Sequence, residues 1–318
     1  AASDVYKRQQ ASLPRVGVRT EQPIDLGGFG TIDFNLIYAR LTPSEWFSAS
    51  PVAENRLMAG LTVGWAPGFL PGLQVGISSL HHQDLDEFEA GSAFRWLQSP
   101  AQDPDDNSAG NGMGNAWIAW GSPDIGLEVW AEWMKDDYNR DLGLFVLEPE
   151  KGSGRTLGLR QIVDAARGTL AFHVETTSTR NSRPGTTDDD GVRGVMYTHG
   201  QVREGHTHRG QLLGAIVGPG GDGQFLEVAW SDASRTAIQV ERLRFNTDAY
   251  TERLGEPLGD EGYDVEILGR VLHERPIGQL RARGELEIGT RHNRLFLQET
   301  NPSWDGNVRF GVMLMWSR

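Results

Sequence analysis

Between positions 197 and 209 the chain gathers a tyrosine, three histidines and two arginines: Tyr197, His199, Arg203, His206, His208 and Arg209. Imidazole and guanidinium groups are planar donors that bracket hydroxyl or anionic oxygens, and a phenol ring offers a flat face for stacking. The six residues form a candidate binding set for a hydroxyl-rich or anionic ligand, beside the acidic run Asp188-Asp189-Asp190. A metal reading competes, because His206 and His208 share a face of an extended strand and His199 lies nearby. No His pair or carboxylate at helical spacing supports it, and His81-His82 with Asp84 and Asp86 is equally thin. No metal and no cofactor are expected.

Nucleophile chemistry has less behind it. Ser78 and Ser79 lie near His81, and Ser178 near His173, yet neither pair has a recognisable nucleophile context. There is no Gly-x-Ser-x-Gly, phosphate loop or dinucleotide fingerprint. The expectation is a protein without catalysis.

The elements that must position these residues are strands. Residues 279–288, QLRARGELEI, alternate strictly: Leu280, Ala282, Gly284, Leu286 and Ile288 fall on one face, Arg281, Arg283, Glu285 and Glu287 on the other. Similar segments are expected at 31–40, 54–65, 73–81, 115–121, 126–134, 141–148, 155–163, 168–177, 209–217, 223–231, 235–245, 263–271, 291–298 and 307–316, about fifteen in all. Their connections alternate between short ones (66–72, 122–125, 164–167, 232–234) and long polar ones. Short turns at one end and long loops at the other are the habit of transmembrane barrels. The one helical candidate, DLDEFEAGSAFRWLQ, sits in a long connection.

An open sheet of this size leaves edges that helices would have to cover, and the sequence has almost no helical periodicity to supply them. No run of 18 apolar residues exists, which excludes a transmembrane helix and leaves barrel strands open. The net charge of -13 argues against nucleic acid, and the absence of cysteine removes disulfide and thiol chemistry. The fold expected is an all-β transmembrane outer-membrane β-barrel, an antiparallel meander. The opening residues AASDVYKRQ resemble translated adapter sequence. Residues 1–10 are therefore set aside as an artefactual N-terminus, with N-terminal strands expected to be missing. Residues 11–318 are assigned to the barrel, with long extracellular loops near 83–113, 178–208 and 246–262.

The stretch YTHGQVREGHTHRGQLLGAIV (197–217) resembles the capsule assembly Wzi family. The family carries a Tyr-x-His segment, a Gly-aromatic-x-aromatic segment, and a Gly followed by Leu-Gly. Here Tyr197 and His199, Gly205-His206-Thr207-His208, and Gly210, Leu213 and Gly214 hold those places, with His206 and His208 standing where tyrosine is expected. ENRLMAGLTV, LQVGIS, GNAWIAW and GLEVWAEWMKDD follow the family in order.

The resemblance implies an outer-membrane β-barrel of about 16–18 strands, a cell-surface lectin of the bacterial outer membrane that holds capsular or extracellular polysaccharide without catalysis. Its expected partners are that polysaccharide, outer-membrane lipid and the barrel assembly machinery. The alternative is a porin or sugar-permeable channel. Two further expectations attach to it. Trp65, Trp117, Trp120, Trp133 and Trp316 should face lipid or its interface. Mild acidification should strengthen binding if His206 or His208 meets an anionic sugar, since imidazole is near half-charged around pH 6.5.

Overall fold

The computed structural model describes residues 13–44, 55–87, 110–136, 152–180, 195–198, 204–254, 262–296 and 303–316. Within them the chain is an antiparallel meander. Its strands are β1 (Arg15–Arg19), β2 (Ile24–Asp25), β3 (Thr31–Leu41), β4 (Arg56–Ala66), β5 (Leu73–Asp84), β6 (Gly110–Ser122), β7 (Leu127–Asp136), β8 (Ser153–Ala165) and β9 (Gly168–Ser178). They continue with β10 (Thr207–His208), β11 (Gln211–Leu212), β12 (Asp222–Ser231), β13 (Arg235–Arg244), β14 (Val265–Ile277), β15 (Leu280–His292) and β16 (Trp304–Trp316). Fourteen belong to one sheet, ordered β1-β3-β4-β5-β6-β7-β8-β9-β12-β13-β14-β15-β16, with β2 beside β3 and β10–β11 forming a separate hairpin. Among the described residues β1 and β16 are its two edges.

Register makes the two faces explicit. Glu128, Arg160, His173, Glu227, Gln239, Arg270, Glu287 and Arg309 lie opposite one another in a single row across eight strands. This row faces inward and links itself: Arg160 to Glu128 at 3.3 Å, Gln239 to Glu227 at 2.6 Å, and Arg270 to Glu287 at 2.5 Å and to Glu241 at 3.3 Å. Arg270, Gln239 and Glu287 are buried. Cross-strand pairing of opposite charge thus fills the inside of the wall.

One residue further along each strand, the row reads Val129, Leu159, Val174, Leu226, Val240, Gly269, Ile288 and Val308. It points outward, and Leu226, Val240, Ile288 and Val308 are exposed. Next to it Val228, Ile238, Val271, Leu286 and Phe310 form a second outward row. A contiguous apolar band of this extent is far larger than a protein exposes to water, and it has the chemistry of a wall facing lipid. On β16 it is bracketed by Trp304 and Trp316, both exposed. The strand's 13 residues span roughly 40 Å extended, or roughly 28 Å of membrane at a tilt of about 45°.

Trp65, Trp120, Trp133 and Trp316 share the outward face. Trp117 does not. It lies opposite Gly76 on the inner face, and its indole covers that glycine so closely that a Cβ there would sit 2.4 Å from the ring. The residues 209–217 are not a wall strand: they hold the turn of the β10–β11 hairpin, β11 itself and further turns, with Arg209 and Gly210 at positive φ. Nor do the described residues of the expected segment 291–298, which end at 296, form a new strand. Residues 291–292 finish β15, and Asn293, Leu295 and Phe296 take positive φ around a short 3-10 turn. An eight-residue helix, α1 (Thr247–Leu254), stands where a plain loop was expected. The expected segment 141–148 and most of the helical candidate lie outside the described residues.

The short connections β4–β5, β6–β7, β8–β9 and β12–β13 all fall at one end, and the long ones, including 42–55, 85–109, 137–152 and 179–221, at the other. Folding should require detergent or lipid, and a monodisperse folded protein in plain buffer would contradict this architecture. Leu286→Arg, mid-strand in the band, should destabilise the assembled protein by roughly 2–4 kcal/mol. Glu285→Gln on the inner face should cost far less, as read by denaturant titration of the detergent-refolded chain.

Candidate functional site

The long β9–β12 connection does not stand away from the wall. At one point Thr42, just past β3, gives its N–H to His208 Nδ1 at 3.1 Å, and its carbonyl accepts from the Arg209 N–H at 2.7 Å. Further along, Val217 O accepts from the Asn246 N–H at 3.1 Å, beyond β13. Those strands are eight places apart in the sheet. Neighbouring strands are ~4.8 Å apart, so a flat sheet would separate them by roughly 38 Å. Nine residues reach roughly 32 Å at full stretch, and these turn repeatedly. The sheet must therefore curl around the segment, which lies across the mouth of the lumen at the long-loop end.

The inner face of the wall holds it there. Arg56, the first residue of β4 and almost fully buried, donates to Thr207 O at 2.9 Å and to Gly205 O. Asp136, at the end of β7, accepts from the Tyr197 N–H. Met113 and Met134 pack with Met196 and Tyr197. His82 of β5 meets the His206 ring at a centroid distance of 5.5 Å, and His206 lies parallel to Tyr197 at 6.1 Å.

The motif residues build this loop, each for a physical reason. Tyr197 takes φ +69°, turning the chain so that its carbonyl accepts from the His206 N–H at 3.0 Å. Gly205 has φ +58°, and a Cβ there would be 2.4 Å from Tyr197 O. Gly214 lies flat under the Tyr197 ring, where a Cβ would be 2.6 Å from the aromatic carbon. The phenol oxygen accepts from the Ala215 N–H at 3.1 Å, and the Leu213 N–H donates to His206 O at 2.9 Å.

Of the six residues singled out in the sequence, Tyr197, His206 and His208 are buried in this structure and Arg209 is exposed. His199 and Arg203 lie outside the described residues. The three buried rings shape the loop, and Arg209, held at φ +50° by the Thr42 bonds, is turned to the outside. Sequence reasoning did not find Arg56, Asp136 or Thr42, which come from three separate strand ends. The strand-terminal arginine and aspartate, each off the apolar alternation, were the available signal.

Burial moves the titrations. His206 is pushed down to about 4, first by burial and then by the Arg56 guanidinium. His208 is lowered by burial and by Arg209 and Arg56. Tyr197 is raised to about 12, chiefly by burial. Mild acidification therefore cannot charge His206 in place, and the expected gain in anion binding does not follow for that ring. Among the described residues no three His, Asp or Glu side chains gather as a metal site. Ser78 Oγ pairs with Thr62 Oγ at 3.0 Å, and Ser178 falls on the opposite face of β9 from His173.

The sign for stability follows. An unfolded histidine titrates near 6.5, so the folded loop binds fewer protons than the open one below that pH. The loop is fully stable above about 6.5 and loses up to about 3 kcal/mol as pH falls to about 4. Hydrogen exchange at the His206 and Leu213 amides should accelerate across that window, and His206→Gln should flatten the dependence. Gly214→Ala should loosen the same amides at neutral pH by about 1–3 kcal/mol through overpacking against Tyr197, leaving the wall strands protected.

No family model matches the chain and no curated protein matches it by sequence. Among solved structures it is similar to Wzi of Escherichia coli, an outer membrane protein involved in group 1 capsule assembly and a carbohydrate-binding β-barrel, with a TM-score of 0.61 over 90% of this chain at 14% sequence identity. The chain spans 56% of the length of that protein. It has the fold of the Wzi barrel, as the resemblance of the 197–217 stretch implied.

Proposed function

We propose that this protein is an outer-membrane barrel that holds capsular or extracellular polysaccharide at the cell surface, without catalysis. The observation that carries the reading is the inner loop: a segment with the Tyr197, Gly205–His208 and Gly210–Gly214 pattern lies across the mouth and turns Arg209 outward. The wall supplies a lipid band, the loop end supplies a platform, and the Wzi fold is borne by a carbohydrate-binding protein. Tyr197, His206 and His208 act as positioning residues. Arg209 contacts the sugar, with Arg203 and His199 as its companions on the same connection. In a chain of net charge -13, such a basic cluster is where an anionic polymer can approach.

Each contact contributes about 1 kcal/mol, and repetition along the polymer supplies avidity. Cells carrying Arg203→Ala with Arg209→Ala should retain several-fold less capsule while the barrel assembles normally. Unchanged retention would move the site to another loop, with 83–113 next in line.

The channel alternative is weakened by the same loop and by the paired charges along the inner row. In planar bilayers the purified protein should lack large, steady single-channel steps. Such steps would overturn the lectin reading and promote a porin.

A further inference from the structure

The outward face just above the apolar band is basic. At the long-loop end one register row reads Trp133, Arg155, Ser178, Asp222, Arg244, Val265, His292 and Trp304. The row beneath it reads Ala131, Leu157, Thr176, Gln224, Arg242, Ile267, Thr290 and Gly306. Below that begins the apolar row of Leu159, Val174, Leu226 and Val240. Asp222 is the one carboxylate in the two upper rows. Around it stand Arg242 at 2.6 Å, Arg180 at 3.5 Å and Arg244, whose Nε donates to the same carboxylate at 2.6 Å.

A single carboxylate neutralises one of these three guanidiniums, and exposed Arg155 adds a fourth cation in the same row. The cluster carries a surplus of positive charge inside a chain of net charge -13. It also keeps an unused donor: among the described residues the buried Arg180 Nε has no hydrogen-bond partner. Arg242 and Arg180 remain partly open to the outside, at 38% and 27% side-chain exposure. Arg244 is fixed over the Tyr263 ring at 4.9 Å, which pre-orients the fork.

We infer that Arg155, Arg180, Arg242 and Arg244, organised by Asp222, form a site on the outer wall for the phosphate-bearing headgroup of a membrane lipid. Three features favour a lipid over a soluble polymer. The cations sit on the lipid-facing side of the wall, directly above apolar rows that acyl chains would cover. Interfacial Trp133 lies directly opposite Arg155 on the neighbouring strand and sets that edge of the cluster at headgroup depth. Guanidinium forks bind phosphate oxygens in pairs, and several such cations gathered around one carboxylate match a phosphorylated headgroup. Asp222 holds the forks apart and aimed when the site is empty.

The test uses the full chain refolded in neutral detergent, with migration on unheated gels reporting barrel assembly. It is titrated with lipid A carrying its phosphates, with phosphate-free lipid A, and with inorganic phosphate, and the thermal midpoint is read. The phosphorylated lipid should raise the midpoint by several degrees and the phosphate-free form should not. Arg180→Gln with Arg242→Gln should weaken that response at least tenfold in lipid concentration while the barrel still assembles. An unchanged response in this variant, or equal binding of phosphate-free lipid, overturns the site. Inorganic phosphate alone matching the lipid would reduce it to a free-anion site and overturn the lipid assignment. An anionic polysaccharide fragment that competes with the lipid would do the same. Should the double variant fail to assemble, Arg242→Lys decides: it keeps the charge and loses the fork, and must weaken the lipid response several-fold for the proposal to stand.

Discussion

Hydrocarbon offers no hydrogen-bond partner, so every backbone N–H and C=O that crosses it must be paired within the protein. In this chain the pairing is a ladder of antiparallel strands, and the two-residue repeat of a strand then decides everything else. One set of side chains must satisfy lipid and the other must satisfy an enclosed, partly watery interior. The row from Glu128 to Arg309 and the row from Val129 to Val308 are adjacent in register and opposite in chemistry. A one-residue slip would exchange them, placing Arg270 and Glu287 in lipid. The inner ion pairs are therefore better understood as specifying register than as adding net stability, because desolvating Arg270, Glu241 and Glu287 costs much of what their attraction returns.

The same alternation explains how the mouth is built. Strand ends at the long-loop side still have inward positions, and Arg56, His82, Met113, Met134 and Asp136 occupy them. They offer a charged, aromatic and apolar lining to the β9–β12 connection. The connection answers with backbone carbonyls for Arg56, a backbone N–H for Asp136, and rings for His82 and the methionines. Its positive-φ residues at Tyr197, Gly205, Arg209 and Gly210 keep it too contorted to join the sheet. A loop held by several strands at once is a stable platform, whereas a free loop would bear the entropy of ordering each time a polymer bound.

Much of the wall was legible because alternation is local. β3, β4, β5, β8, β9, β12 and β13 begin and end within a few residues of where apolar spacing and turn residues place them. The failures share a cause. Residues 209–217 and 291–298 contain apolar residues at strand-like spacing, yet positive φ at Arg209, Gly210, Asn293 and Leu295 bends the chain out of the ladder. Trp117 was grouped with Trp120, although residues three apart in a strand cannot share a face, so that error was visible in the spacing itself. At the mouth, the cluster from Tyr197 to Arg209 is contiguous and could be seen. Its partners Thr42, Arg56 and Asp136 are brought together only by the order of strands, which no local pattern encodes. Burial of His206 and His208 is likewise a consequence of the curled sheet.

The central claim is that the inner loop across the mouth is where polysaccharide meets the barrel. Hydrogen exchange of the detergent-solubilised chain, with and without purified capsular polysaccharide, tests it most directly. The account predicts added protection across residues 197–214, around Arg209, with the strands β12–β16 unchanged. Protection confined to other connections, or none at saturating polysaccharide with the barrel intact, would contradict it.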